Sequence, residues 1–265
     1  MIFKKSLLFI ILNTALFSNT LNLDYSYGLH DFVVQDEAHT VGINAEIYAE
    51  YITSPTTYQN ASFEIFTEYD EVELDPDHIP VWFRANYGFS TILLEQDETF
   101  NLNAVVDLEW KMNTVSSVEQ YLKSGVGLEF AFKEGSLTLA PKILVGAYYL
   151  EIDDDVPLSN DFERNDLEVG YKAAIMYGAR VLWDIDEDVT LGVELEEWNE
   201  KGQWLERNTL IDVTYKKTEN FHIVFSAEKT IYNLSNFRKD CIDILPWNQD
   251  TLFKLVVKMP LPWQF

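Results

Sequence analysis

Apolar and polar residues alternate along nearly the whole chain with a period of two, and helical spacing is not sustained anywhere. Leu167, Val169, Tyr171, Ala173, Ile175, Tyr177, Ala179, Val181, Trp183 and Ile185 share one face, and Glu168, Lys172, Arg180 and Asp184 fall on the other. Phe100, Leu102, Ala104, Val106, Leu108, Trp110 and Met112 likewise oppose Asn101, Asn103, Asp107, Glu109 and Lys111. Val41, Ile43, Ala45, Ile47, Ala49 and Tyr51 oppose Asn44, Glu46 and Glu50, while Leu122, Val126, Leu128, Phe130 and Phe132 oppose Tyr121, Lys123 and Glu129. About twelve such strands are expected, near 21–30, 41–53, 60–69, 80–94, 99–113, 117–133, 136–150, 166–184, 188–198, 204–216, 220–232 and 251–265. Many are longer than the about five or six residues usual in soluble sheets.

The connections alternate as well. Compact ones at 95–98, 133–135, 184–188 and 216–220, with a somewhat longer 53–60, interleave with mostly longer, acid-rich ones at 31–40, 70–79, 151–166 and 233–250; 113–117 and 199–203 are short members of this second set. An antiparallel up-and-down meander, with turns at one rim and loops at the other, accounts for the order. Alternation alone suits a soluble sandwich as well as a membrane barrel. Strand length favours the barrel, because a tilted strand crosses a bilayer in about 9 to 11 residues. Rim chemistry favours it too, with Tyr51, Trp110, Tyr149, Trp183, Trp204, Tyr215 and Trp263 near strand ends, where aromatic girdles lie. Charges avoid the apolar face, where a Lys or Arg at the bilayer midplane costs roughly 2 to 4 kcal/mol. In hydrocarbon every backbone donor and acceptor must be paired, which a closed barrel achieves without an edge.

The N-terminus begins MIFKK and continues SLLFIILNTALFS, a short basic region followed by an apolar run interrupted at Asn13. That is the layout of a secretory signal peptide over residues 1–19, cleaved between Ser18 and Thr20, ahead of a barrel spanning 20–265. No cysteine follows the apolar run, so a lipid anchor is not expected there. The single cysteine, Cys241, excludes an intramolecular disulfide and paired-cysteine metal knuckles. With 44 acidic against 19 basic residues and a formal charge of −25, nucleic acid is not an expected partner. The 17 Phe, 14 Tyr and 7 Trp need somewhere to be buried, which excludes a disordered acidic chain.

The last segment, TLFKLVVKMPLPWQF, alternates Phe253, Leu255, Val257, Met259, Leu261 and Trp263 and ends on Phe265. It resembles the final strand of Gram-negative outer-membrane β-barrel proteins, in which a terminal aromatic residue is read by the barrel-insertion machinery; Pro260 and Pro262 depart from the plain pattern. With the export signal and the long strands, the resemblance spans the mature chain. It implies an all-β transmembrane barrel of about twelve strands, located in the cell outer membrane, with lipid and lipopolysaccharide around it. Narrow solute channels and solitary autotransporter-like barrels both fit the outline, and no motif separates them.

On either account the lumen is expected to carry Glu46, Glu50, Glu64, Glu68, Arg84, Asp107, Glu109, Lys123, Glu129, Lys172, Arg180, Glu194 and Asp212. Two readings stand for this face: an interior network of ion pairs, or a narrow aqueous path whose acidic bias favours cationic or neutral solutes. No cofactor is expected. Asp153, Asp154, Asp155, Asp161, Glu163 and Asp166 lack calcium-loop spacing and read as solvated surface charge. The competing class is an outer-membrane enzyme hydrolysing lipid or peptide at a rim, for which Asp75, Asp77 and His78, or His222 with Ser226, are the residues to inspect. Because HEXXH, GxSxG and phosphate-loop patterns are missing, no catalytic residue is assigned.

Overall fold

The computed structural model describes residues 20–34, 38–69, 81–96, 99–112, 118–152, 170–233 and 248–263. Twelve strands follow one another: β1 (Thr20–Val34), β2 (Ala38–Ser54), β3 (Thr57–Glu68), β4 (Val81–Gln96), β5 (Phe100–Met112), β6 (Val118–Glu134), β7 (Leu137–Ile152), β8 (Gly170–Asp184), β9 (Val189–Glu200), β10 (Gln203–Thr218), β11 (Phe221–Tyr232) and β12 (Gln249–Trp263). Each pairs antiparallel with its sequence neighbours, and β12 closes on β1, so the protein is a closed up-and-down barrel. Among the described residues no helix is long and apolar enough to cross a membrane; the crossing is made by strands.

Register keeps the two faces apart. Leu29 pairs with Ile43 and Leu255, and Val126 pairs with Val106 and Val145, and all six point outward and are exposed apolar surface. Such surface is unfavourable in water and is covered by lipid tails in a membrane. Strands of 12 to 17 residues exceed the length needed to cross hydrocarbon. The surplus lies at the loop end, where outward positions turn charged: His39 binds Asp31 at 2.6 Å and Arg207 binds Glu197 at 2.6 Å. At the turn end, Trp183 and Tyr215 are outward and exposed, as an interfacial girdle requires.

Turn chemistry follows the residues. Lys201 and Gly202 both have positive φ, 50° and 84°, the geometry of a hairpin turn matched to strand twist. The expected loop at 53–60 is instead a two-residue turn at Pro55 and Thr56. Its hydroxyls satisfy the backbone locally: Thr53 Oγ1 donates to the Thr57 carbonyl (3.1 Å), and Ser54 Oγ accepts from the Thr56 amide (3.3 Å). β3 therefore starts three residues earlier than the alternation suggests. The eighth strand is described from Gly170, and the start expected at 166 lies, with all of 153–169, outside the described residues. Both chain ends of the barrel, Thr20 and Trp263, lie at the short-turn rim.

Candidate functional site

All twelve strands contribute inward side chains to one cavity of about 790 Å³, which places it on the barrel axis. It runs from the short-turn rim, beside Asp24, Lys216, His222 and Lys258, inward to Lys123, Trp198 and Glu228. Its charged lining is Asp24, Glu46, Asp107, Glu109, Glu194, Glu196, Asp212 and Glu228 against Arg84, Lys123, Lys142, Arg180, Lys216, Lys254 and Lys258. Eight carboxylates face seven cations along this cavity, which is therefore nearly charge-balanced.

Several of these charges are paired between different strands, some neighbouring and some well apart on the ring. Arg84 Nη1 donates to Glu228 Oε2 at 2.8 Å, between β4 and β11, five steps apart on a ring of twelve strands. Lys254 Nζ reaches both oxygens of Glu64 (3.0 and 3.1 Å). Lys142 lies 2.8 Å from Asp107 and 3.1 Å from Glu196. Lys123 lies 2.8 Å from Glu109 and 2.9 Å from Glu206. Buried charges held this way fix opposite walls relative to one another, because each charge needs its partner once water is excluded.

Toward the loop rim the lumen changes character. Phe32, Val34, Phe66, Trp82, Tyr121, Tyr148, Leu150, Trp198, Leu205, Tyr232 and Leu252 form one buried cluster on the inner face. The rings of Phe66 and Trp82 stack at 3.6 Å with 2° between their planes. Charged groups are embedded in this plug: His30 and Trp82 both bond Glu68 Oε1 (2.8 and 2.6 Å), and Tyr148 donates to Glu206 Oε2 at 2.6 Å. Sequence reasoning missed the plug because it treated the inner face as uniformly polar. A signal was present, since strict alternation fails in FVV at 32–34, VWF at 81–83 and YYL at 148–150, where both faces are apolar.

The structure brings eight of the expected lumen residues to the cavity: Glu46, Arg84, Asp107, Glu109, Lys123, Arg180, Glu194 and Asp212. Glu129 faces a smaller pocket of about 160 Å³ and accepts from Asn103 Nδ2 at 3.0 Å. Glu50 accepts from Asn22 (2.9 Å), Glu64 is buried against Lys254, Glu68 sits in the plug, and Lys172 pairs with Glu200 at 3.3 Å. Phe265, His78, Cys241 and the acidic run at 153–166 lie outside the described residues. His222 stands in register between Lys216 and Lys258, and the nearby carboxylate of Asp24 is bound to Lys258 at 2.6 Å.

No protein-family model matches the chain, and no curated protein sequence matches it. Solved structures match in shape. The NanC porin superposes with a TM-score of 0.51 at 10% identity, covering 91% of this chain and 100% of that one. The KdgM porin in complex with disordered oligogalacturonate gives 0.49 at 11% identity, over 90% and 98% of the two chains. Outer membrane phospholipase A from Escherichia coli gives 0.46 at 11% identity, over 91% and 92%. With its closed twelve-strand sheet and outward apolar face, the chain has the fold of an outer-membrane β-barrel.

Proposed function

We propose that the protein is a narrow outer-membrane channel for small polar solutes, cationic or neutral, closed in this conformation by the plug. The observation that carries this reading is the axial cavity, polar, charge-balanced and lined from every strand, which ends against a packed layer instead of continuing to the loop rim. A purely structural barrel of this width has no need of so large a polar space, whereas a channel needs both a wet path and a constriction. An export signal over residues 1–19, lipopolysaccharide around the loop end and insertion by way of Phe265 belong to the same proposal.

The test is conductance in planar bilayers, on protein whose folded state is shown by altered electrophoretic mobility before boiling. Small discrete steps are expected for the wild type, and larger ones for Trp198→Ala, because Trp198 belongs to both plug and cavity lining. Silence from both folded proteins across salt and voltage would sink the channel and leave a structural surface barrel. The hydrolase alternative gains no support at His222, whose register neighbours are Lys216 and Lys258 and whose nearby carboxylate, Asp24, is held by Lys258. Phospholipid and peptide substrates are expected to remain intact with the purified protein.

A further inference from the structure

Four lysines inside the barrel lie over aromatic faces. Lys258 is 5.2 Å from the Tyr48 ring centre, Lys254 is 5.8 Å from Phe66, and Lys123 is 4.4 Å from Tyr121. Lys111 has three rings: Phe32 and Trp82 at 5.4 Å each and Tyr121 at 5.7 Å. The first three lysines also touch a carboxylate directly, at 2.6 Å (Asp24), 3.0 Å (Glu64) and 2.8 Å (Glu109). Lys111 is different. Among the described residues its ion-pair partner is Asp250 at 3.7 Å, beyond a direct hydrogen bond, although its side chain is only 4% exposed.

A buried ammonium so placed is held by the negative faces of three rings, drawn from β1, β4 and β6 around a lysine of β5, together with the Asp250 carboxylate. Three converging aromatic faces with an acid nearby make the chemistry that recognises organic ammonium ions. We infer that Phe32, Trp82 and Tyr121, with Asp250, form a binding site for an organic ammonium ion at the plug, and that the Lys111 ammonium is its tethered occupant. The inference deepens the channel reading by naming a solute class, and rests on it for the idea of passage. A cation arriving along the lumen exchanges with Lys111, which stays on its stem and returns. That exchange keeps binding weak enough for release, as conduction requires.

The test is calorimetric titration of folded barrel in detergent with tetramethylammonium chloride, and with tert-butanol as an uncharged molecule of similar size. Lys111→Ala empties the cage and is expected to bind tetramethylammonium at least about tenfold tighter than the wild type, without a matching gain for tert-butanol. Adding Trp82→Leu to that variant should remove the gain. No gain in folded Lys111→Ala, or an equal gain for tert-butanol, overturns the inference, the latter by showing an apolar hole only. Should Lys111→Ala not fold, refolding is repeated with tetramethylammonium present: recovery of the heat-sensitive mobility supports the site, and failure to recover overturns it. Binding with silent bilayers would defeat the channel while leaving the site; conduction without binding would do the reverse.

Discussion

Arg84 and Glu228 meet from nearly opposite walls, and what each contributes depends on the other being there. Removing one leaves a half-buried charge at the cavity wall without its partner, which costs more than replacing both with apolar residues of similar volume. Glu228→Ala should therefore lower the urea midpoint well below that of the wild type, and Arg84→Met with Glu228→Leu should restore most of it. On the outer face the same physics acts through lipid. Val126→Arg is expected to cost roughly 2 to 4 kcal/mol near the bilayer midplane, while Glu197→Gln, among the charged residues at the loop end, should change the midpoint little. Which side each of these residues faces was legible from parity alone. Which charges would meet was not: Lys254 and Glu64 are 190 residues apart, and only closure of the ring and its stagger bring them together.

The β6–β7 hairpin shows what glycine does for these strands. Gly135 sits in its turn at φ 59°, with open space where a side chain would go. Gly127 and Gly146 lie where the two strands approach so closely that an added Cβ would be 1.9 Å from the Ile143 carbonyl oxygen and 1.8 Å from that of Ser124. Gly135→Asn should fold with near-normal yield, since asparagine tolerates the left-handed region. Gly146→Val should need the strands to separate, and a drop in the folded band on unboiled gels, with a destabilisation of about 1 to 3 kcal/mol, is the expected result. At this scale the strands were readable to within a few residues because each buries one face only. Turns and close approaches were less so, as the 53–60 segment shows: hydroxyl bonds inside the turn, invisible to alternation, let β3 begin early.

Across the whole molecule, charge is distributed unevenly between lumen and loops. A cavity with nearly equal numbers of carboxylates and cations has a field that single substitutions can tip. Lys142→Met leaves Asp107 and Glu196 without their shared partner and should shift reversal potentials toward cation preference; Glu194→Gln with Glu196→Gln should shift them the other way. Both shifts should be larger at about 0.01 M salt, where screening extends over about 30 Å, than at 1 M, where it acts within about 3 Å. The barrel was predictable from the sequence at this scale, while the plug was not, because inner positions near the loop rim carry rings where a polar lining was expected. The first and last strands, finally, are zipped along fourteen paired positions, from Leu21 with Trp263 to Val34 with Asp250. That seam joins the two most distant parts of the chain, so assembly has to hold ten intervening strands as a curved ribbon with two raw margins until the final one arrives. The margins are hazards during that wait, since bare strand edges invite pairing with other chains. Long-range pairings of this kind also form slowly. Cutting back β12 should thus yield aggregated protein rather than a smaller cylinder.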